Sequence, residues 1–291
     1  MKVTVYLPTK NRLELFKQAL LSIQSQTYSD IEIIVIDDGS EDGTLEYLNK
    51  QTKLDDRIVA IVNRVSQGAA RARNKAILHA SGEFITGLDD DDQFAPDRVS
   101  SLLGAWQTLN AMGGEMPVAL FTDSLIGKPG QLRATTDRKD TVVFLDLFRH
   151  NYVGNQVFCE TSTLRNVGGF DESMPALEDL ELWMRLLKDG GRMVRCAGHS
   201  YVCLIDDRPR ISSNKKNHII ATKHIFMKHG SNIKNAEANL YMQLFSPFYG
   251  FTASRSEIMQ MLRCRPPIDI LLRFFRSLSR NIIVKIKTKN T

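Results

Sequence analysis

Four consecutive carboxylates, Asp89 to Asp92, follow an apolar, β-prone run from Phe84 to Leu88. A Ser-Gly break precedes the run, whose length and composition predict a buried strand. Four anions at one strand end repel one another unless a cation sits among them. Acidic residues also favour helix starts, and Pro96-Asp97-Arg98 predicts one just downstream, but a cap needs one carboxylate rather than four. The arrangement points to a divalent-metal site holding a phosphorylated ligand. In open α/β sheets such ligands bind beyond the carboxyl ends of the strands.

Two more polar clusters follow apolar runs: Pro8-Thr9-Lys10-Asn11-Arg12 after Lys2–Leu7, and Asp37-Asp38-Gly39-Ser40 after Ile31–Ile36. If the three strands are neighbours in one parallel sheet, the clusters open at one edge and form a nucleotide site. Asp38 could then accept from a base N–H, Asp89 from ribose hydroxyls, and Asp91 could ligate Mg²⁺ or Mn²⁺ bridging a diphosphate. Taken alone, Asp37–Ser40 reads as a tight βα turn.

The elements that must position these residues alternate. Helical spacing of Leu13, Phe16, Leu20 and Ile23 predicts a helix after the first strand, and residues 42–50 one after the second. Residues 57–63 read as a third strand and 68–80 as a helix leading into the acidic strand. Strand and helix in strict alternation mean βαβ units and a mostly parallel sheet. A helix from Arg98 to about Leu109 and a strand at Val118–Thr122 follow. Residues 123–150 are irregular, an edge hairpin or a loop. Residues 154–160 read as a strand and 163–167 as a short helix. Glu178–Leu186 is a helix whose acidic first turn suits its dipole. Beyond Asp207 the pattern is helical and basic.

Composition is that of a soluble globular chain of 291 residues, 43% hydrophobic and 24% charged. The start, Met1-Lys2 followed by a short apolar run and Pro8, lacks the form of a signal peptide, and no apolar run reaches a membrane span. Four cysteines without a Cys-x-x-Cys pair read as reduced thiols in a cytosol. Cys196, His199 and Cys203 cluster, but they lack a fourth zinc ligand. From Arg255 onward nine Lys/Arg face two carboxylates, a surplus larger than the whole chain's +5. The body is near neutral and the tail is basic.

These motifs resemble, in order and over about residues 1–210, glycosyltransferase family 2, inverting enzymes of the α/β GT-A fold. Besides the three clusters, the resemblance rests on Gly68-x-x-x-Ala72-Arg73-Asn74, Gly82-Glu83-Phe84-Ile85, Gly168-Gly169-Phe170-Asp171 and Glu178-Asp179-x-x-Leu182-Trp183. It implies that Pro8 and Asp38 hold the donor's base with Arg12 beside them, that Asp89 and Asp91 form the Asp-x-Asp element meeting ribose and metal, and that Asp179 is the catalytic base. Thr9, Asn11, Arg73, Asp90, Glu178 and Trp183 complete the expected substrate-binding set. Inverting transfer is a single displacement, so one carboxylate must take the acceptor hydroxyl's proton. Glu178, a like charge beside Asp179, could raise the pair's affinity for protons. An ordinary helix N-terminal acid is the alternative for Asp179.

The chain departs from the family in having no His after the strand that follows the base helix. Asp206-Asp207-Arg208-Pro209-Arg210 stands there instead, so Arg208 or Arg210 could clamp the diphosphate and Asp206 or Asp207 face the metal.

The resemblance implies a hexose moved from a nucleotide sugar, UDP-linked, to a hydroxyl of a sugar or lipid-linked acceptor in surface polysaccharide synthesis, with no nucleic acid involved. Residues 1–210 form the expected catalytic domain (1–100 nucleotide-binding, 101–210 acceptor-binding) and 211–291 a helical extension. In that extension Leu271, Phe274, Phe275, Leu278 and Ile282 fall on one side, with Arg273, Arg276 and Arg280 at helical spacing. This basic amphipathic helix either lies on the inner face of the cytoplasmic membrane or docks on the catalytic domain. A nucleotidyltransferase would lack the Glu178-Asp179-Trp183 segment, and a non-catalytic binding module would not need the acidic cluster. A Rossmann dehydrogenase is disfavoured, since no Gly-x-Gly-x-x-Gly follows the first strand.

Overall fold

The computed structural model describes residues 1–135, 139–205, 214–246 and 249–289, the last eight by backbone alone. Two compact units divide the chain: one of Met1–Phe144, Tyr152–Glu172 and Arg185–Asp207, the other of Leu145–Asn151, Ser173–Met184 and Arg208–Thr291. The units do not follow chain order, and Asp179 groups with the C-terminal helices.

In the first unit, strands β1 (Val3–Thr9), β2 (Ile31–Asp37), β3 (Ile58–Val62) and β4 (Phe84–Gly87) alternate with helices α1 (Leu13–Gln24), α2 (Thr44–Leu54) and α3 (Ala69–His79). The four strands are parallel in the order β3-β2-β1-β4, the continuous apolar runs that sheets covered on both faces require. Glu32 interrupts the β2 run without harm. Its buried carboxylate accepts from the Thr4 hydroxyl at 2.6 Å and from the Ser81 hydroxyl and N–H at 2.6 and 2.8 Å. The register sets Thr9 beside Asp37 and Tyr6 beside Gly87, so all three polar clusters leave the sheet at one edge.

The chain then forms β5 (Asp92–Phe94), α4 (Arg98–Met112), β6 (Ala119–Gly127), β7 (Arg133–Ala134) and β8 (Thr141–Val143). After β9 (Cys159–Glu160) and α5 (Thr161–Asn166) come α6 (Glu178–Leu187), which runs through both units, and β10 (Arg192–Leu204). β9 extends the first sheet, antiparallel to β4. A second sheet has the order β5-β10-β6-β7, with β8 also on β10. The irregular stretch after 122 thus contains an edge hairpin, β6 with β7. Of the strand expected over 154–160, Cys159–Glu160 pairs with β4 and Phe158 forms an antiparallel bridge to Leu120 of β6. Asn155 and Gln156 turn their amides to Asp89 instead.

Arg98 is fully buried, its guanidinium over the rings of Phe94 (4.8 Å) and Tyr201 (5.1 Å) and bonded to Thr122 and Ser200. Burial pulls its pKa down to about 10, so it stays charged at neutral pH.

The second unit holds α7 (Lys215–Ile225), a π-helical turn (Phe226–Gly230), α8 (Ala236–Leu244), α9 (Arg255–Arg263) and α10 (Ile268–Lys289). Glu181 of α6 is wholly buried, compensated by Lys228 at 2.8 Å and His229 at 3.0 Å from the π turn. The helical core gathers Tyr241 and Leu244 of α8, Met261 of α9, and Ile270, Phe274 and Leu278 of α10. The apolar side of the tail packs on α8 and α9 within its own unit. Phe274 and Leu278 are buried, Leu271 is partly buried, Phe275 is 44% exposed, and the side chain of Ile282 lies outside the described residues. Asn281 secures the dock by donating to the carbonyls of Phe245 and Phe251 at 3.2 and 2.8 Å. No described helix is long and apolar enough to cross a membrane.

Candidate active site

The acidic stretch leaves β4 through Gly87, where a side chain would collide: a Cβ there would lie 2.2 Å from Gln156 Oε1 and 2.3 Å from the Tyr6 ring. Glycine lets the Tyr6 hydroxyl reach Gln156 Oε1 at 2.7 Å, which holds that amide in place. Its other end then donates to Asp89 Oδ1 at 3.2 Å. Arg73 of α3 donates to the same oxygen at 2.9 Å, and Asn155 donates to Oδ2 at 2.8 Å. The backbone N–H of Asp89 points to the Tyr201 hydroxyl at 3.3 Å, and Asn155 also reaches that hydroxyl at 3.1 Å. Asp89 is therefore the centre of a network drawn from β1, α3, β10 and the 155–156 segment.

Arg12 serves the next two carboxylates, at 3.0 Å from Asp90 Oδ1 and 3.2 Å from Asp91 Oδ2. Asp90 also accepts from the Thr9 hydroxyl at 2.9 Å. Burial pushes its pKa up to about 6, against the pull of Arg12 and Thr9 and with the help of its acidic neighbours. The guanidiniums of Arg12 and Arg73 are two cations set among the crowded carboxylates. Sequence showed the acids' need for positive charge; the fold places these two arginines close enough to supply part of it.

The loops beside them are tied together. Asn11, in a left-handed conformation with φ 52°, donates its N–H to Ser40 Oγ and accepts from the Glu41 N–H. Pro8 is half-buried at the end of β1. Asp38 is 5% exposed and already has donors on both oxygens: Asn63 Nδ2 (2.7 Å), the Ser66 hydroxyl (2.7 Å) and the N–H groups of Gln67 (2.8 Å) and Gly68 (2.9 Å). Burial raises its pKa, but these bonds outweigh it and the carboxyl sits below its ordinary range. Asp38 moors the 63–68 loop, so a base N–H approaching it meets a carboxylate already engaged.

Two glycine-bearing motifs also meet. Asn74 donates to the Phe170 carbonyl at 2.9 Å and accepts its N–H at 2.7 Å. Gly169, with φ +68°, makes room, since a Cβ there would stand 2.4 Å from Asn74 Oδ1. Arg73, one residue before Asn74, lies 5.3 Å from the Phe170 ring centre on its way to Asp89. The Gly168–Asp171 turn thus acts through α3.

In the second unit, Leu177 adopts φ 58° immediately before α6, turning the chain into that helix's acidic first turn. Asp179 is half-buried. Its Oδ1 accepts from the Leu180 N–H at 2.7 Å and its Oδ2 from Asn151 Nδ2 at 3.2 Å. Burial raises the Tyr249 pKa, and the charges of Asp179 and Glu178 raise it further. Trp183, expected beside a substrate, is fully buried in the middle of α6, where its indole packs rather than faces solvent. Arg208 and Arg210, with Asp206 and Asp207, lie outside the described residues.

No group of three or more His, Cys, Asp or Glu among the described residues could hold a metal by itself. Mg²⁺ and Mn²⁺ sites built on one or two carboxylates plus substrate phosphates and water do not need one. Asp91, whose side chain is 23% exposed beside Arg12, fits such a site. Asp89, with three donors on its two oxygens, fits it less well.

Sequence reading missed Tyr6, Asn155, Gln156 and Tyr201 around Asp89, and Asn151 beside Asp179. Neutral amides and phenols leave no charge or periodicity to read. The one signal was the presence of three amides, Asn151, Asn155 and Gln156, within six residues.

Among known proteins, the model of the family described as Glycosyl transferase family 2 matches residues 4–146. The putative colanic acid biosynthesis glycosyl transferase WcaA of Escherichia coli is 32% identical over 197 residues, covering 65% of this chain and 67% of WcaA. The chain belongs to glycosyl transferase family 2. This glycosyl transferase is also 41% identical over 132 residues to a GalNAc(5)-diNAcBac-PP-undecaprenol beta-1,3-glucosyltransferase of Campylobacter jejuni, covering 45% of this chain but only 40% of that enzyme. The crystal structure of S. aureus TarS superposes with TM-score 0.68 at 17% identity, over 97% of this chain and 53% of TarS. At that identity the likeness establishes the fold, the GT-A architecture expected from the motifs.

Proposed function

We propose that this glycosyl transferase moves a hexose, glucose first among the candidates, from a UDP-sugar to a hydroxyl of a lipid-linked sugar acceptor, with inversion, as a step in bacterial surface polysaccharide synthesis. The observation that carries this is the convergence of Thr9, Arg12, Arg73 and Asp89–Asp91 at the carboxyl ends of β1 and β4. The glucose and the lipid-linked acceptor come from the Campylobacter relative's name, and the polysaccharide setting from that of WcaA.

In this reading Asp89, held by Arg73, Asn155 and Gln156, presents its carboxylate edge to the ribose, and Asp91 holds Mg²⁺ or Mn²⁺. The bound metal supplies positive charge to the diphosphate. Arg12, 3.2 Å from Asp91, would add a second positive charge to the same group. The acceptor oxygen attacks the anomeric carbon as the bond to the diphosphate breaks, UDP departs, and Asp179 takes the hydroxyl proton. An α-linked donor then gives a β-linked product.

Screening UDP-glucose, UDP-galactose, UDP-N-acetylglucosamine and GDP-mannose for nucleotide release onto diphosphoundecaprenol-linked acceptors, with Mn²⁺, Mg²⁺ or EDTA, tests the reading. One UDP-sugar is expected to turn over, with loss of activity in EDTA and near-total loss in Asp91→Asn. Full turnover by that variant without metal would remove the metal from the reaction.

Peripheral attachment at the cytoplasmic face belongs to the same reading, because the acceptor is lipid-linked. With Ile270, Phe274 and Leu278 committed to the core, Ile268, Leu272 and Phe275 are the large exposed apolar residues among those of α10 whose side chains are described, set among Arg273, Arg276 and Arg280. Sedimentation with vesicles containing phosphatidylglycerol should show salt-sensitive binding, and none at low salt would confine the protein to solution.

A further inference from the structure

Gln243 of α8 is 5% exposed, and its amide is used at both ends by one short segment. Its Oε1 accepts the Asn151 N–H at 3.0 Å, while its Nε2 donates to the Leu147 carbonyl at 3.1 Å and approaches that of Phe148 at 3.5 Å. Neither leucine nor glutamate could replace it: leucine makes none of these bonds, and an ionised glutamate has no donor for the carbonyls. Leaving such buried groups unpaired is costly, so the amide fixes where Asn151 stands. Asn151 in turn donates from Nδ2 to Asp179 Oδ2 at 3.2 Å. The other carboxylate oxygen is held by the Leu180 N–H at 2.7 Å, so two donors define the plane of the group.

We propose that Asn151 and Gln243 are positioning residues for the transfer reaction: Gln243 locks the 147–151 segment, and Asn151 aims the Asp179 carboxylate at the acceptor hydroxyl. The inference rests on the reading of Asp179 as the base. Each carboxylate oxygen has two lone pairs, so accepting a bond that orients the group does not by itself preclude taking a proton. A hydrogen bond to the ionised form also favours that form, opposing the charge of Glu178 on the same helix. Among the described residues, Tyr249, whose pKa Asp179 and Glu178 both raise, and His218, which feels Glu178, are titratable groups this acidic turn influences.

The test is steady-state kinetics of the full chain with the donor and acceptor selected by the screen, beginning with UDP-glucose and GalNAc-diphosphoundecaprenol. Asn151→Ala is expected to lower kcat about tenfold to a hundredfold, the usual effect of a misplaced catalytic group. It should leave the donor KM within about twofold and move the acid limb of the kcat profile to higher pH. Gln243→Leu should reproduce the kcat loss, and Asn151→Asp should shift the acid limb further by adding a like charge. Should Asn151→Ala fail to melt cooperatively, Asn151→Ser carries the same expectation. Unchanged kcat and an unshifted acid limb in the folded variant, with Asp179→Asn inactive, would overturn the positioning role. Full activity in Asp179→Asn would instead overturn the base assignment, and the two failures are distinguishable.

Discussion

The carboxylates of the two units are held in contrasting ways. Asp89 has a guanidinium and two side-chain amides on its oxygens, and its neighbours Asp90 and Asp91 share a second guanidinium. The donors of Asp179 described above are both uncharged, and a second carboxylate adjoins it in sequence. A carboxylate that must remain ionised, to face ribose or metal, benefits from charged donors that suppress protonation. In the proposed reading, Asp89 and Asp91 are assigned to binding and Asp179 to proton transfer.

The sharpest way to break it is Asp179→Asn, expected to lower kcat roughly 10²–10⁴-fold, the range of a lost general base, with UDP affinity by calorimetry unchanged. Equal losses of rate and affinity would move Asp179 to the donor site and erase the distinction. Next is Arg73→Met, which takes the charged donor from Asp89 and should cost about 1.5–3 kcal/mol of UDP affinity. Undiminished affinity would mean the amides alone hold Asp89.

Asp38→Asn sharpens the comparison from the stability side. Its new NH₂ would face N–H and amide donors, and a loss of about 2 kcal/mol, read as a lower Tm, is expected. The pH dependence should change too. Because the folded pKa of Asp38 is depressed, its contribution is present above the ordinary carboxylate value of about 4 and disappears as pH falls through the lower folded value. The variant should lose that part of the acid sensitivity, and an identical acid-unfolding curve would argue against it. The smallest effect belongs to Arg71→Ala. Arg71 pairs with Glu172 at 2.7 Å, but the two side chains are 56% and 41% exposed, so a change within about 1 kcal/mol is expected, against the marked effect two residues along the same helix. A Tm shift as large as that of Asp38→Asn would show that exposure does not rank these pairs.

Much of this was legible in the chain itself. The alternation of apolar runs and helical spacing announced β1 to β4 in parallel, because that pattern is local and buried strands cannot be polar. The acidic cluster and the family motifs were equally visible, since charges and glycines are conspicuous residue types. The amide residues were not. Asn155, Gln156 and Asn151 differ from any loop residue only through their partners, Asp89 lying 66 and 67 positions from the first two.

Sequence alone determined that carboxylates crowd the end of β4 and that a positive charge must meet them. Tertiary structure decided that Arg12 and Arg73 supply part of that charge, that Asp38 moors a loop, and that Trp183 is interior. It also turned one side of α10 onto helices α8 and α9. A residue's type fixes what it can bond, but its partner is whichever group the folded chain brings within about 3 Å, and that depends on contacts between residues distant in sequence.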